Sequence, residues 1–165
     1  MSYSTILAQI KTSVEAVTNV GKVYSNIRYA QDLGNFYEIF RTTINNQDEI
    51  RVWMISRNGR QSITGPKEVS FGNFRFVIPA TQRAIVHNIL IEGLMSFKDD
   101  DTEVDFQALL DSVHDQIKNN LTFSSTAKTR SDPMSTIDYR YLGPVLCHYA
   151  TVEFGVLEID GINPV

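Results

Sequence analysis

The order of elements predicts an α+β protein: a mainly antiparallel β-sheet flanked by an N-terminal helix and a second helix near residues 103–121. Three observations carry this. The first residues repeat apolar side chains at helical spacing. The middle of the chain is a series of short alternating stretches broken by turn residues. A strongly amphipathic stretch then precedes a long alternating one that closes the chain.

Ile6, Leu7, Ile10, Val14 and Val17 form the first stripe, with Lys11, Ser13 and Glu15 between them. An amphipathic helix follows, with an expected stop near Gly21. "KVYSNIRYA" is a candidate strand. "DLGNFYEIF" places Phe36, Tyr37 and Phe40 at helical spacing, as a short helix or a packed connection. Ile50, Val52, Met54 and Ser56 then alternate with Arg51, Trp53, Ile55 and Arg57, which defines a strand with two faces. Gly59 and Arg60 are expected at a hairpin tip. "QSITGPKEVSF" and "NFRFVIPA" read as further strands, with turns at Gly65–Pro66 and Gly72–Asn73 and with Phe74, Phe76 and Ile78 on one face. "IVHNILIEGLMSF" is another strand.

The second helix opens on acidic residues, with Thr102 and Asp105 in a capping-box pattern. Phe106, Leu109, Leu110, Val113, Ile117 and Leu121 share one stripe, which needs a sheet to cover it. Residues 122–136, "TFSSTAKTRSDPMST", are polar and predict a long loop that orders on docking. From Leu146 to Val156 the alternation returns as a long closing strand.

A chain of 165 residues, 42% apolar and 21% charged, suits one globular domain with a real core. Its formal charge of −4 does not favour general attraction to phosphate backbones, and no recognition motif for nucleic acid is present. Cys147 is the one cysteine and lies in an apolar stretch, which predicts a buried structural thiol. The N-terminal residues lack the pattern of a signal peptide, and no apolar run has the length of a membrane span, so a cytoplasmic location and no membrane partner are expected.

No catalytic pattern is present. His87, His114 and His148 fall on different elements without metal-ligand spacing. Asp99, Asp101, Glu103 and Asp105 alternate like a calcium loop. Val104 and Leu110 stand where that loop needs Gly and Glu, and a helix start accounts for the same carboxylates. The Gly-Lys pair at residues 21–22 lacks the rest of a phosphate loop. No cofactor and no metal are expected.

The pattern as a whole resembles the tail terminator and related tail-completion (neck) proteins of long-tailed bacteriophages. The helix "ILAQIKTSVEAVTNVGKVYS", then "RYAQDLGNFYEIF" and "IRVWMISR", look like their opening. "HNILIEGLMSFKDD", "EVDFQALLDSVHDQIKNNL" and "GPVLCHYATVEFGVLEI" look like their second half. The resemblance implies a single tail-terminator-like domain over residues 1–165 and no enzymatic activity. It implies a virion structural role in the tail or neck: a ring, commonly a hexamer, that caps the tail tube, stops its polymerisation and joins it to the head connector. The partners implied are further copies of the chain, the tail tube protein, and the connector or stopper protein.

Candidate partner contacts are Arg51, Trp53, Arg57 and Arg60 on the expected hairpin, and Lys128 and Arg130 in the polar loop, because Trp and Arg dominate interface hot spots. Three readings compete: a head-completion or stopper protein of the neck, a nucleic-acid-binding module, and a small-molecule enzyme using His87, Glu92 and His148. The last requires those three side chains to converge.

Overall fold

A computed structural model of the chain describes residues 3–71, 74–98, 102–121, 123 and 127–161. Helix α1 (Tyr3–Glu15) buries Ile6, Leu7, Ile10 and Val14, the expected stripe. It ends at Glu15, earlier than Gly21. Gly21 does take a left-handed backbone (φ 84°), but beyond the helix and against the Arg51 carbonyl. Strand β1 is only Lys22–Tyr24 and runs parallel to its neighbour. The ambiguous aromatic stretch is helix α2 (Leu33–Phe40), whose N-terminus is capped by the Asp32 carboxylate accepting from the Asn35 N–H at 2.8 Å.

Strands β2 (Arg41–Ile44) and β3 (Gln47–Thr64) form a hairpin through Asn45 and Asn46, both at positive φ. The expected tip at Gly59 and Arg60 is not a turn. β3 runs straight through it and stays paired with β6 (Gln82–Ser96) as far as Thr64, with a bulge between Arg57 and Gly59. Asn58–Gly59 suits a turn locally, but the long partner strand converts it into one extra residue. That residue reverses which side chains face which way. Before it, Trp53 and Ile55 point to one face; beyond it, Ile63 joins Ile78, Ala84, Val86 and Leu157 on the other.

The turn at Gly65–Pro66 leads into a separate two-stranded ribbon, β4 (Lys67–Phe71) and β5 (Phe74–Ile78). Ile78 is buried as expected. The side chains of Phe74 and Phe76, and the turn at residues 72–73, lie outside the described residues. Helix α3 (Thr102–Asp115) passes into one π-helical turn, Gln116–Asn120. The whole predicted stripe, from Phe106 to Leu121, is buried. Thr102 is the first helical residue rather than a cap, and the acidic residues 99 and 101 lie outside the described residues.

The predicted loop at 122–136 contains strand at residues 127–130 and 134–136, while residues 122 and 124–126 lie outside the described residues. β7 (Ala127–Arg130) and β8 (Met134–Leu142) both pair with β9 (Val145–Gly161). A seven-stranded sheet results, in the order β1-β3-β6-β9-β7, with β2 also on β3 and β8 also on β9. All pairs are antiparallel except β1 with β3. The fold is therefore α+β and mainly β-sheet, as the sequence predicts.

Helices cover both faces of the sheet. α1 and α3 pack on Trp53, Ile55, Ile89, Ile91, Met95 and the even-numbered residues 150–156. α2 packs on the opposite face, over Ile50, Val52, Met54, Leu94, Cys147 and Tyr149.

Candidate assembly surface

Of the six predicted contact residues, Trp53 belongs to the interior and Arg51 is half-buried. Trp53 is fully buried (0% exposed) on the helix-covered face, where its indole N–H donates to the Val20 carbonyl at 3.1 Å and its ring stacks on Phe106. Gly93 on β6 makes room for it, because a Cβ there would lie 2.5 Å from the indole ring. Arg51 is tied down as well: Nη2 lies 2.8 Å from the Glu49 carboxylate and Nη1 donates to the Asn19 carbonyl at 2.9 Å. Neither is a free contact.

Arg57 and Arg60 are exposed, on β3 rather than at a tip. The Arg57 guanidinium lies 4.1 Å from the Tyr3 ring centre, and its Nη1 is 3.3 Å from His87 Nδ1. Lys128 and Arg130 lie on β7, with side chains outside the described residues.

The catalytic grouping is not assembled. His87 and His148 share a face but sit towards opposite ends of β6, opposite Val156 and Met95 respectively. Glu92 points to the other face, where it accepts from the Tyr149 hydroxyl at 2.7 Å and lies 3.6 Å from Arg140 Nη1. Burial, with help from Glu92, pushes the Tyr149 hydroxyl up to about 12. His87 is buried against α1 with both ring nitrogens engaged. Nε2 donates to Glu158 at 3.0 Å and Nδ1 accepts from Arg57. Burial alone pushes the Glu158 carboxyl up, but the His87 hydrogen bond and neighbouring positive charge bring it below its ordinary value. Burial also pushes the Cys147 thiol up to about 12, as suits a structural thiol. Among the described residues, no group of three or more His, Cys, Asp or Glu is placed to hold a metal ion, and no helix is long and apolar enough to cross a membrane.

His148 is fully buried among Phe97, Phe106 and Tyr139, with Nε2 3.0 Å from the Thr102 hydroxyl. Burial lowers its pKa. A histidine that is harder to protonate when folded favours the unfolded chain once protons bind. Its contribution is therefore complete above about pH 6.5 and is lost as pH falls through the lowered folded value. Denaturation midpoints should fall on acidification below that point, and should fall less in His148→Gln. Parallel pH profiles for the two proteins would remove His148 as the cause.

The surface that stands out is β8. It is the edge of the sheet beside β9, and its burial pattern is exposed at every residue but the last. It carries Met134 (76% exposed), Ile137, Tyr139 and Tyr141 (70%), and Phe97 touches Tyr139 beside it. A long apolar edge left open invites pairing with another chain. The sequence holds the signal in the alternation of "TIDYRYL", but the polar residues before it draw attention to a loop.

A second open edge lies across the sheet. β2 pairs with residues 47–50 of β3 and β1 with residues 52–54. Beyond these, β3 has β6 on one side and, among the described residues, no strand on the other. Arg57 and Arg60 sit on this edge. Among the described residues, the sheet thus has two different unpaired edges on opposite flanks.

Comparison with known proteins adds no family: no protein-family model matches the chain, and no curated protein is detectably similar to it.

Proposed function

We propose that the protein is a virion structural protein of the tail-terminator type. Its copies close into a ring that caps the tail tube, stops its growth and presents a surface to the head connector. The observation that carries this reading is the pair of dissimilar open sheet edges on opposite flanks. Two different, complementary patches on opposite sides generate head-to-tail contacts, and these close into rings when the rotation permits. The α+β fold with its helix-flanked sheet agrees with the fold of the family the sequence resembles. The residues a small-molecule enzyme would use are spread over both faces of the sheet and are engaged in structural contacts.

Purified tail tubes and tube protein provide the test. With this protein added, tubes should acquire a ring at one end and stop elongating when more tube protein is supplied. Tubes that elongate unchanged, with no end density, would contradict the reading. Binding to the head connector but not to tubes would move the assignment to a neck stopper.

A further inference from the structure

We infer that, in subunits outside a ring, β8 pairs with β8 of a second copy, antiparallel about a two-fold axis through Tyr139, and so closes the exposed edge until a ring neighbour takes it. The two-fold pairing stands apart from the ring reading; only its replacement by a ring neighbour rests on that reading. Both contacts use one edge, so a subunit makes one or the other at β8.

Hydrogen bonding fixes which groups of β8 are open. The Phe97 N–H donates to the Leu146 carbonyl at 2.9 Å, which turns the even-numbered residues of β9 towards β6 and the odd-numbered ones towards β8. Through the β8–β9 register, the even-numbered residues of β8 bond to β9. Ile137, Tyr139 and Tyr141 therefore aim their N–H and C=O groups outwards. The Tyr139 N–H agrees, since it donates at 2.8 Å to the carboxylate of its own neighbour, Asp138. Among the described residues, no strand lies beyond this edge.

Charge selects the register. Only centring on Tyr139 sets Asp138 of each copy opposite Arg140 of the other; centring on Asp138 or Arg140 sets like charges face to face. Both residues lie on the α2 face, at positions that become non-hydrogen-bonded pairs, where side chains approach closest. The Arg140 guanidinium is held on that face, over the Tyr149 ring and 3.6 Å from Glu92, with its side chain 54% exposed and room for a second carboxylate. Asp138 then releases the Tyr139 N–H, which donates to the Tyr139 carbonyl of the second copy. On the other face Tyr139 meets its own copy and Ile137 meets Tyr141, all exposed in the single subunit. The patch is thus complementary to itself, as a two-fold contact requires.

The test uses the full-length chain carrying Ser62→Pro. The Gly65 N–H donates to the Gln82 carbonyl, so beyond the bulge the odd-numbered residues of β3 bond to β6 and the Ser62 N–H faces the open β3 edge. Proline there blocks that edge to a ring neighbour and leaves the β6 ladder intact. This variant should sediment as a dimer. Adding Tyr139→Cys should give an intersubunit disulfide in high yield under mild oxidation, because the axis brings the two copies of this position together. Adding Ile137→Cys alone should not, since its two copies lie roughly 13 Å or more apart, but a mixture of Ile137→Cys and Tyr141→Cys should. The buried Cys147, its thiol pushed up to about 12, does not compete. Asp138→Arg and Arg140→Asp should each weaken the dimer about tenfold or more, and mixing the two should restore it. A monomer mass for Ser62→Pro, failure of Tyr139→Cys to cross-link in it, or a mixture no tighter than either charge variant alone overturns the pairing, and a parent chain that still forms rings leaves the ring reading intact. A parent chain that forms this dimer and never a ring keeps the pairing and overturns the ring reading.

Discussion

Trp53→Ala is expected to destabilise the fold by about 3–5 kcal/mol, read as a lower denaturant midpoint with an unchanged slope. The indole is the largest fully buried side chain, and it sits where α1, α3 and the sheet meet. Removing it opens a cavity bounded by Phe106 and by Gly93, which has no side chain to move in. It also strips the Val20 carbonyl of its indole donor, and an unsatisfied buried acceptor costs about 1–3 kcal/mol where water cannot replace the bond. Gly93→Val tests the same contact from the other side, since its side chain would enter the space of the ring. A Trp53→Ala midpoint close to that of the parent would mean that the indole does not fill this core.

Met134→Asp combined with Tyr141→Asp is expected to abolish assembly while sparing the fold. Both side chains are mostly exposed at the two ends of β8, so substituting them costs the free subunit little, roughly 0.5 kcal/mol or less each. In an interface the same positions would be buried. Losing an aromatic and a long apolar anchor, with two charges introduced, should cost about 2 kcal/mol or more per position, which weakens association by at least about a hundredfold. Unchanged melting together with a lost oligomer is the expected pair of results. Assembly at parental concentrations would remove β8 from the contact.

The sequence shows its helices and its buried faces far better than its edges. The α3 stripe from Phe106 to Leu121 is visible because an apolar face repeating every 3.6 residues marks a helix that packs on another layer, and every member of it is buried. The two-faced character of β3 is equally visible. What alternation does not reveal is that both faces are covered. Trp53 reads as outward only while α2 on the other side remains uncertain, and with α2 over Val52 and Met54 the Trp53 face belongs to α1 and α3.

The false tip at Gly59 has a similar origin. A local Asn-Gly signal is overridden by β6, which is long enough to pair on both sides of it. β7 and the start of β8 lie in polar sequence because each has β9 on one side only, and the β8 side chains meet little of the core. Edge strands are weakly encoded for that reason. The candidate surface is therefore half legible. Arg57 and Arg60 do lie on an open edge, whereas the apolar edge of β8 emerges only from the pairing of distant strands.

Sedimentation velocity of the purified full-length chain over a range of micromolar concentrations tests the central claim, ring closure, most directly. One closed oligomer of defined size is expected, persisting on dilution and not growing into longer polymers as concentration rises. A single species at the monomer mass of 18.7 kDa across the whole range would contradict it.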